Sequence, residues 1–195
     1  MHGGRMRLYA LMLAVVMGLS GCMNAAVSGA QAVYNRHSLQ KGMKDQATTF
    51  NASRRLERTD QRLFKDANLS ITTYNGEVLL LGQVPRADQR LEAEAAIREL
   101  PGVNRVYNMV EVASPSSPLT RVSDSWITSK IKAKIIANND IDATQVKVVT
   151  ENSVVYLMGI LPPEQASTVQ DIASNTDGVR KVIKMFSYIK ITKTA

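Results

Sequence analysis

Hydrophobic and polar positions along the chain fall into two similar runs. Ile71-Thr-Thr-Tyr-Asn-Gly-Glu-Val-Leu-Leu-Leu-Gly-Gln-Val-Pro85 aligns with Val148-Val-Thr-Glu-Asn-Ser-Val-Val-Tyr-Leu-Met-Gly-Ile-Leu-Pro162. Each predicts strand, tight turn, strand, glycine, proline. Asn75-Gly76 is a strong two-residue hairpin signal because both residues tolerate positive φ, and Asn152-Ser153 is a weaker version. Val78, Leu80 and Gly82 alternate as a half-buried strand should. Gly82 and Gly159 hold the same place in the two runs, where a side chain is expected to block a crossing helix.

A second match follows. Pro101-Gly102-Val103 through Val106 aligns with Asp177-Gly178-Val179 through Val182. Gly102 and Gly178 fit helix C-termini, where the chain turns left-handed. The residues before them predict helices: Ala166, Val169, Ile172 and Ala173 recur at three- and four-residue steps, as do Ala87, Leu91 and Ala95. After each glycine comes a strand, with Val106, Val110 and Val112 in one copy and Val182, Phe186 and Tyr188 in the other. Upstream of the second hairpin, Ile127, Ile131 and Ile135 mark a helix opened by Ser123-Asp124. Upstream of the first, Asp45 through Phe50 and Ala52 to Leu56 mark a weaker one.

The pattern is two tandem αββαβ units in an α+β fold, each small enough to be marginal alone. The expected boundaries are 45–112 and 121–191. The joint at 113–120, Ala113-Ser-Pro-Ser-Ser-Pro118 and the two residues after it, is short and stiff, so the units are expected to touch.

The N-terminus adds an address. Arg5 and Arg7 precede an apolar run, Leu8 to Leu19, short for a bilayer span but right for the core of a signal peptide. It ends in Leu19-Ser20-Gly21-Cys22, which resembles the lipobox of bacterial lipoproteins. That resemblance implies removal of residues 1–21 and lipidation, including palmitate, at Cys22. Met23 and Asn24 follow rather than Asp, which by the same resemblance implies delivery to the outer membrane. Cys22 is the only cysteine, so no intrachain disulfide can form. Residues 22–44 are rich in small and polar side chains and are expected to form a flexible tether, although a helix over Ala25 to Val33 is compatible with them.

Charge separates the units. The formal net charge is +7, and the signal carries two of those charges away. The first unit holds nine basic and ten acidic side chains, while the stretch from Arg121 to Ala195 holds ten basic and seven acidic. The basic surplus therefore accompanies the only tryptophan, Trp126.

Two αββαβ copies, each with its hairpin closing on a glycine, resemble the BON-domain family, and with the lipobox they resemble a dual BON-domain outer-membrane lipoprotein. The most specific stretches are Ser123-Asp-Ser-Trp-Ile-Thr-Ser-Lys130, Val146-Lys-Val-Val-Thr-Glu-Asn152 and Tyr156-Leu-Met-Gly159. The resemblance implies contact with anionic phospholipid (phosphatidylglycerol or cardiolipin) through the first helix of the second domain, with Trp126, Ile127, Lys130 and Lys134 as the contact residues. It also implies a lipid-anchored protein facing the periplasm that supports outer-membrane integrity at division sites, and no lipid contact by the first domain.

The residues agree with a binding role. On a helical wheel Trp126, Lys130 and Lys134 share an arc of about 80° beside the isoleucine stripe, while Lys132 points elsewhere. An indole with ammonium groups on one flank suits a headgroup region. Arg180, Lys181 and Lys184 could widen the patch. Two other uses stay open: packing of Trp126 between the domains, or docking of envelope-assembly machinery on the same face. The two histidines, His2 and His37, precede both units, and no free thiol remains. Nucleophile–histidine catalysis and common zinc sites thus lack their key residue. Asp140 and Asp142 read as loop caps. The expectation is a non-enzyme with no cofactor, no metal, no small-molecule substrate and no nucleic-acid partner.

Overall fold

The computed structural model describes residues 29–59 and 66–189, with side chains from Gln40 onward. The chain divides into two units, 1–39 and 40–195, and the sheets of both repeats lie in the second. The first repeat runs α1 (Gly29–Arg58), β1 (Asn68–Tyr74), β2 (Glu77–Val84), α2 (Ala87–Arg98), β3 (Arg105–Asn108) and β4 (Glu111–Val112). The second runs α3 (Pro118–Ile136), a 3₁₀ turn (Ala143–Gln145), β5 (Val146–Glu151), β6 (Val154–Leu161), α4 (Pro163–Ser174) and β7 (Lys181–Tyr188). The fold is α+β, as the pattern predicts.

Each repeat closes an antiparallel hairpin and then crosses by a helix to a parallel third strand, leaving β2 and β6 central. The turns follow from their residues. Asn75 and Gly76 take φ 52° and 76°, and Asn152 and Ser153 take 49° and 62°, the left-handed pair that matches strand twist. One device clamps both turns. Asp45 of α1 accepts the backbone N–H groups of Asn75 (2.7 Å) and Gly76 (2.9 Å), and Asp124 of α3 accepts those of Asn152 (2.8 Å) and Ser153 (2.9 Å).

The central strands are covered on both faces, which corrects the half-buried expectation. Val78, Leu80 and Val84 pack under α1 and α2, with Ala52, Leu56, Ala93 and Ile97. Leu79 and Leu81 point the other way and meet Val154, Tyr156, Met158 and Met185 of the second sheet. Val155, Leu157 and Leu161 then pack under Ile127, Ile131 and Ile135 of α3 and Val169 of α4. The two sheets thus lie face to face with one helical layer outside each. Near-continuous apolar runs are what two-sided burial demands, and each fully buried Leu contributes roughly 1.5–3 kcal/mol. At the rim of this interface Gln83, 1% exposed, donates to Glu151 Oε1 (2.7 Å) and accepts from Ser116 N (2.9 Å) and Asn68 Nδ2 (3.1 Å).

Four further expectations change. Gly82 makes room for β1, and Gly159 for the 3₁₀ turn that leads into β5, rather than for a crossing helix: a Cβ at Gly82 would lie 1.8 Å from Asn68 O, and one at Gly159 2.6 Å from Gln145 O. In α2 the inward face is Gln89, Ala93 and Ile97, while Leu91 is 67% exposed and Ala87 and Ala95 face water. Gln89 turns in because its side-chain oxygen accepts the N–H of Arg86 (2.9 Å) and so caps the helix. Helix α3 starts at Pro118, not Ser123: Ser117 Oγ accepts Thr120 N (3.1 Å), and proline fits the first turn. The end of the expected joint is therefore helical. Gly29 to Lys44, placed in the expected tether, belong to α1. Ala, Gln, Lys and Met favour helix there without an apolar stripe to announce it.

Candidate functional site

The rotation of α3 about its axis decides what it shows to solvent. Ile127, Ile131 and Ile135 are 2% exposed or less, and the clamp at Asp124, itself 4% exposed, stands on the same side. A hydroxyl contact, Thr128 Oγ1 to Thr150 Oγ1 (2.8 Å), adds a second pin to β5. With the inner face held at these points, the outer face is determined.

That outer face is an apolar ridge. Leu119 is 78% exposed, Val122 66%, Trp126 66% and Ile136 70%. With Ala133 they fall within an arc of about 100°, opposite the core stripe, and Leu119 to Ile136 spans roughly 26 Å of helix. Ser125 and Ser129 donate their hydroxyls to the carbonyls of Arg121 and Ser125 (2.9 Å each), so little unsatisfied polarity interrupts the ridge.

Cations border both sides. Lys130 and Lys134 lie about 70–110° round the helix on one side, and Lys132 and Arg121 about as far on the other. Three of these four are hydrogen-bonded. Lys130 Nζ donates to Asp177 O (2.8 Å), and Lys134 Nζ donates to Thr176 Oγ1 (3.0 Å) and Asn175 O (3.4 Å). These carbonyls follow the C-terminus of α4, where the helix dipole favours a cation. Arg121 Nη1 donates to Asn68 Oδ1 of the first repeat (3.2 Å).

Of the contact residues expected from sequence, the structure brings Trp126, Lys130 and Lys134 to one exposed region. Ile127 is a correction: at 1% exposure it is core and no ligand can touch it. Trp126 is not packed between the domains, because that space is filled by the sheet–sheet cluster. Sequence reasoning missed Leu119, Val122 and Ile136. Their signal was available as apolar residues three, four and seven apart opposite the isoleucines. Gly102 and Gly178 take φ 86° and 92°, and a Cβ at Gly178 would meet Ile127 Cδ1 at 3.0 Å, so this turn seats α3 closely. Cys22 lies outside the described residues.

The profile of the BON domain matches residues 44–114 and 123–190. Over 185 residues the chain is 35% identical to the outer membrane lipoprotein DolP of Haemophilus influenzae, covering 92% of this chain and 95% of that one. It is 39% identical over 131 residues to a 21 kDa hemolysin of Actinobacillus pleuropneumoniae, covering 67% of this chain and 68% of that protein. It is 32% identical over 143 residues to the osmotically-inducible protein Y of Escherichia coli, covering 72% of this chain and 70% of that protein.

Proposed function

Because this chain belongs to the BON-domain family, we propose that it is an outer-membrane lipoprotein, anchored at Cys22 and facing the periplasm, whose helix α3 lies along an anionic phospholipid leaflet and so supports envelope integrity. The observation that carries this reading is Trp126 at 66% exposure in line with Leu119, Val122 and Ile136. A ridge of this length suits a helix lying in the plane of the interface. Asp124, Lys130, Lys132 and Lys134 on its other faces suit no spanning role.

The energetics describe weak, selective binding. Each large ridge side chain would contribute up to about 1.5–3 kcal/mol on full burial, and only part of each enters the headgroup layer. Each lysine near an anionic surface contributes roughly 1 kcal/mol. Lys130 and Lys134 keep N–H groups beyond those given to the α4 carbonyls, since an ammonium has three. The lipid at Cys22 would already hold the protein at the membrane, and a face that prefers phosphatidylglycerol or cardiolipin would choose which lipids it sits on.

Vesicle flotation tests this. The chain without Cys22 is expected to float with vesicles containing phosphatidylglycerol or cardiolipin and not with phosphatidylcholine alone. Trp126→Glu and Leu119→Glu should each abolish flotation, and Ile127→Val should not. Equal flotation of Trp126→Glu rejects the site. Crosslinks from position 126 to protein, with no lipid preference, would favour docking of envelope-assembly machinery instead.

A further inference from the structure

The second repeat carries an open groove that the first repeat keeps closed. In the second sheet β7 is an edge, continuous over Lys181–Tyr188 and paired along its whole length to β6 on one side. Among the described residues nothing pairs with its other side. Helix α4 packs over β7, whereas α3 packs over β5 at the opposite end of the sheet. Between α4 and β7 lies a cavity of about 210 Å³ lined by Pro163, Ala166, Ser167, Gln170, Lys184 and Tyr188. Side chains alternate along the strand: Val182 and Phe186 belong to the core under the helices, while Ile183 and Met185 face the first sheet. Lys184 and Tyr188 thus rise on the α4 side, beside the unpaired edge.

The first repeat shows what closure looks like. Asn108, at the position of Lys184 against the central strand, donates to Arg90 O and to Glu94 Oε2 of α2 (3.0 Å each). Arg98 holds Glu94 from the other side, and the Asn108 and Arg98 contacts lower the Glu94 pKa from its ordinary value. The strand then breaks, because Met109 and Val110 separate β3 from β4. In the second repeat the strand runs unbroken, and Lys184 Nζ donates to Gln170 Oε1 across the groove (2.6 Å).

Charge selects the occupant. Arg180, Lys181 and Lys184 are exposed, and none forms an ion pair among the described residues. Edge lysines discourage pairing between copies of one chain, and the same charges attract an acidic strand. We propose that the α4–β7 groove binds an extended acidic segment of a partner protein, which adds to β7 as a fourth strand and places one carboxylate against Lys184. Backbone bonds to the edge would supply affinity and the cavity side-chain selectivity.

The test uses the isotope-labelled full-length chain in neutral detergent micelles and two synthetic peptides, one alternating valine with glutamate and one alternating valine with lysine. The glutamate peptide is expected to shift and protect the amides of Lys181–Tyr188, and the lysine peptide is not. Lys184→Glu should weaken the glutamate peptide roughly tenfold or more. Gln170→Glu, which copies the Glu94 latch, should weaken it without loss of folded spectra. In the form without Cys22, Gln170→Glu should float with anionic vesicles as its parent does, which separates this site from α3. Absence of any β7 shift, equal response to both peptides, or undiminished binding by Lys184→Glu would overturn the proposal.

Discussion

Helices α1 and α3 do the same structural job and show different faces to the outside. In each an aspartate clamps the hairpin turn, and in each a threonine one turn on bonds a strand threonine at 2.8 Å, Thr49 to Thr73 and Thr128 to Thr150. Matching the clamps places Ala47 at the position of Trp126, Met43 at that of Val122 and Arg54 at that of Ala133. The outer face of α1 is therefore mixed. Phe50, exposed on that face, lies under the Arg54 guanidinium at 5.3 Å, whereas Trp126 stands on an apolar ridge with its cations to the sides. The inward half of such a helix answers to the fold and is repeated. The outward half is free of that constraint, and there the copies differ.

The largest expected effect tests the inward half. Gly82→Ala forces a Cβ into Asn68 O at φ +113°, so it should prevent folding or cost more than about 4 kcal/mol. Gly159→Ala meets Gln145 O at 2.6 Å with no left-handed backbone, and should cost roughly 1–3 kcal/mol. Urea denaturation of the two variants checks the order. The clamps come next. Asp124→Ala removes a buried acceptor from two N–H groups and should cost roughly 3 kcal/mol, whereas water can reach the half-buried Asp45 site and Asp45→Ala should cost about half as much. Equal losses would mean that burial does not distinguish the clamps.

The outward half is tested by transplanting the ring. Trp126→Ala should reduce binding to anionic vesicles roughly tenfold, within the 1.5–3 kcal/mol of a buried apolar side chain. Adding Ala47→Trp should restore nothing, because α1 lacks the ridge and lies on the opposite outer layer of the stacked sheets. Recovery by the double variant would show that one ring suffices.

The smallest effect lies between the sheets. Burial raises the Glu151 pKa, the Gln83 bond opposes this, and Asp124 and Glu111 push it further up. The folded chain then binds that proton more tightly than the unfolded chain, so stability falls as pH rises from the ordinary glutamate value through the raised one. Glu151→Gln should flatten that part of the pH–stability curve and raise stability at pH 7, measured by urea midpoints across the range.

Periodicity and turn chemistry alone made the two αββαβ copies legible, with the isoleucine stripe of α3 and both left-handed turns. They misjudged α2, because a capping Gln89 points inward while Leu91 points out, and they favoured a flexible tether over a helix at the start of α1, where the sequence carries no apolar stripe. The lysine partners were invisible, since the carbonyls of Asn175 and Asp177 stand more than forty residues away. Local pattern states which residues share a face but not what covers it. Whether Leu79 and Tyr156 meet water or each other, whether Trp126 is enclosed or bare, and which groove stays open depend on contacts between distant segments. Only the packed tertiary structure decides those, because burial is a property of neighbours and not of the residue that is buried.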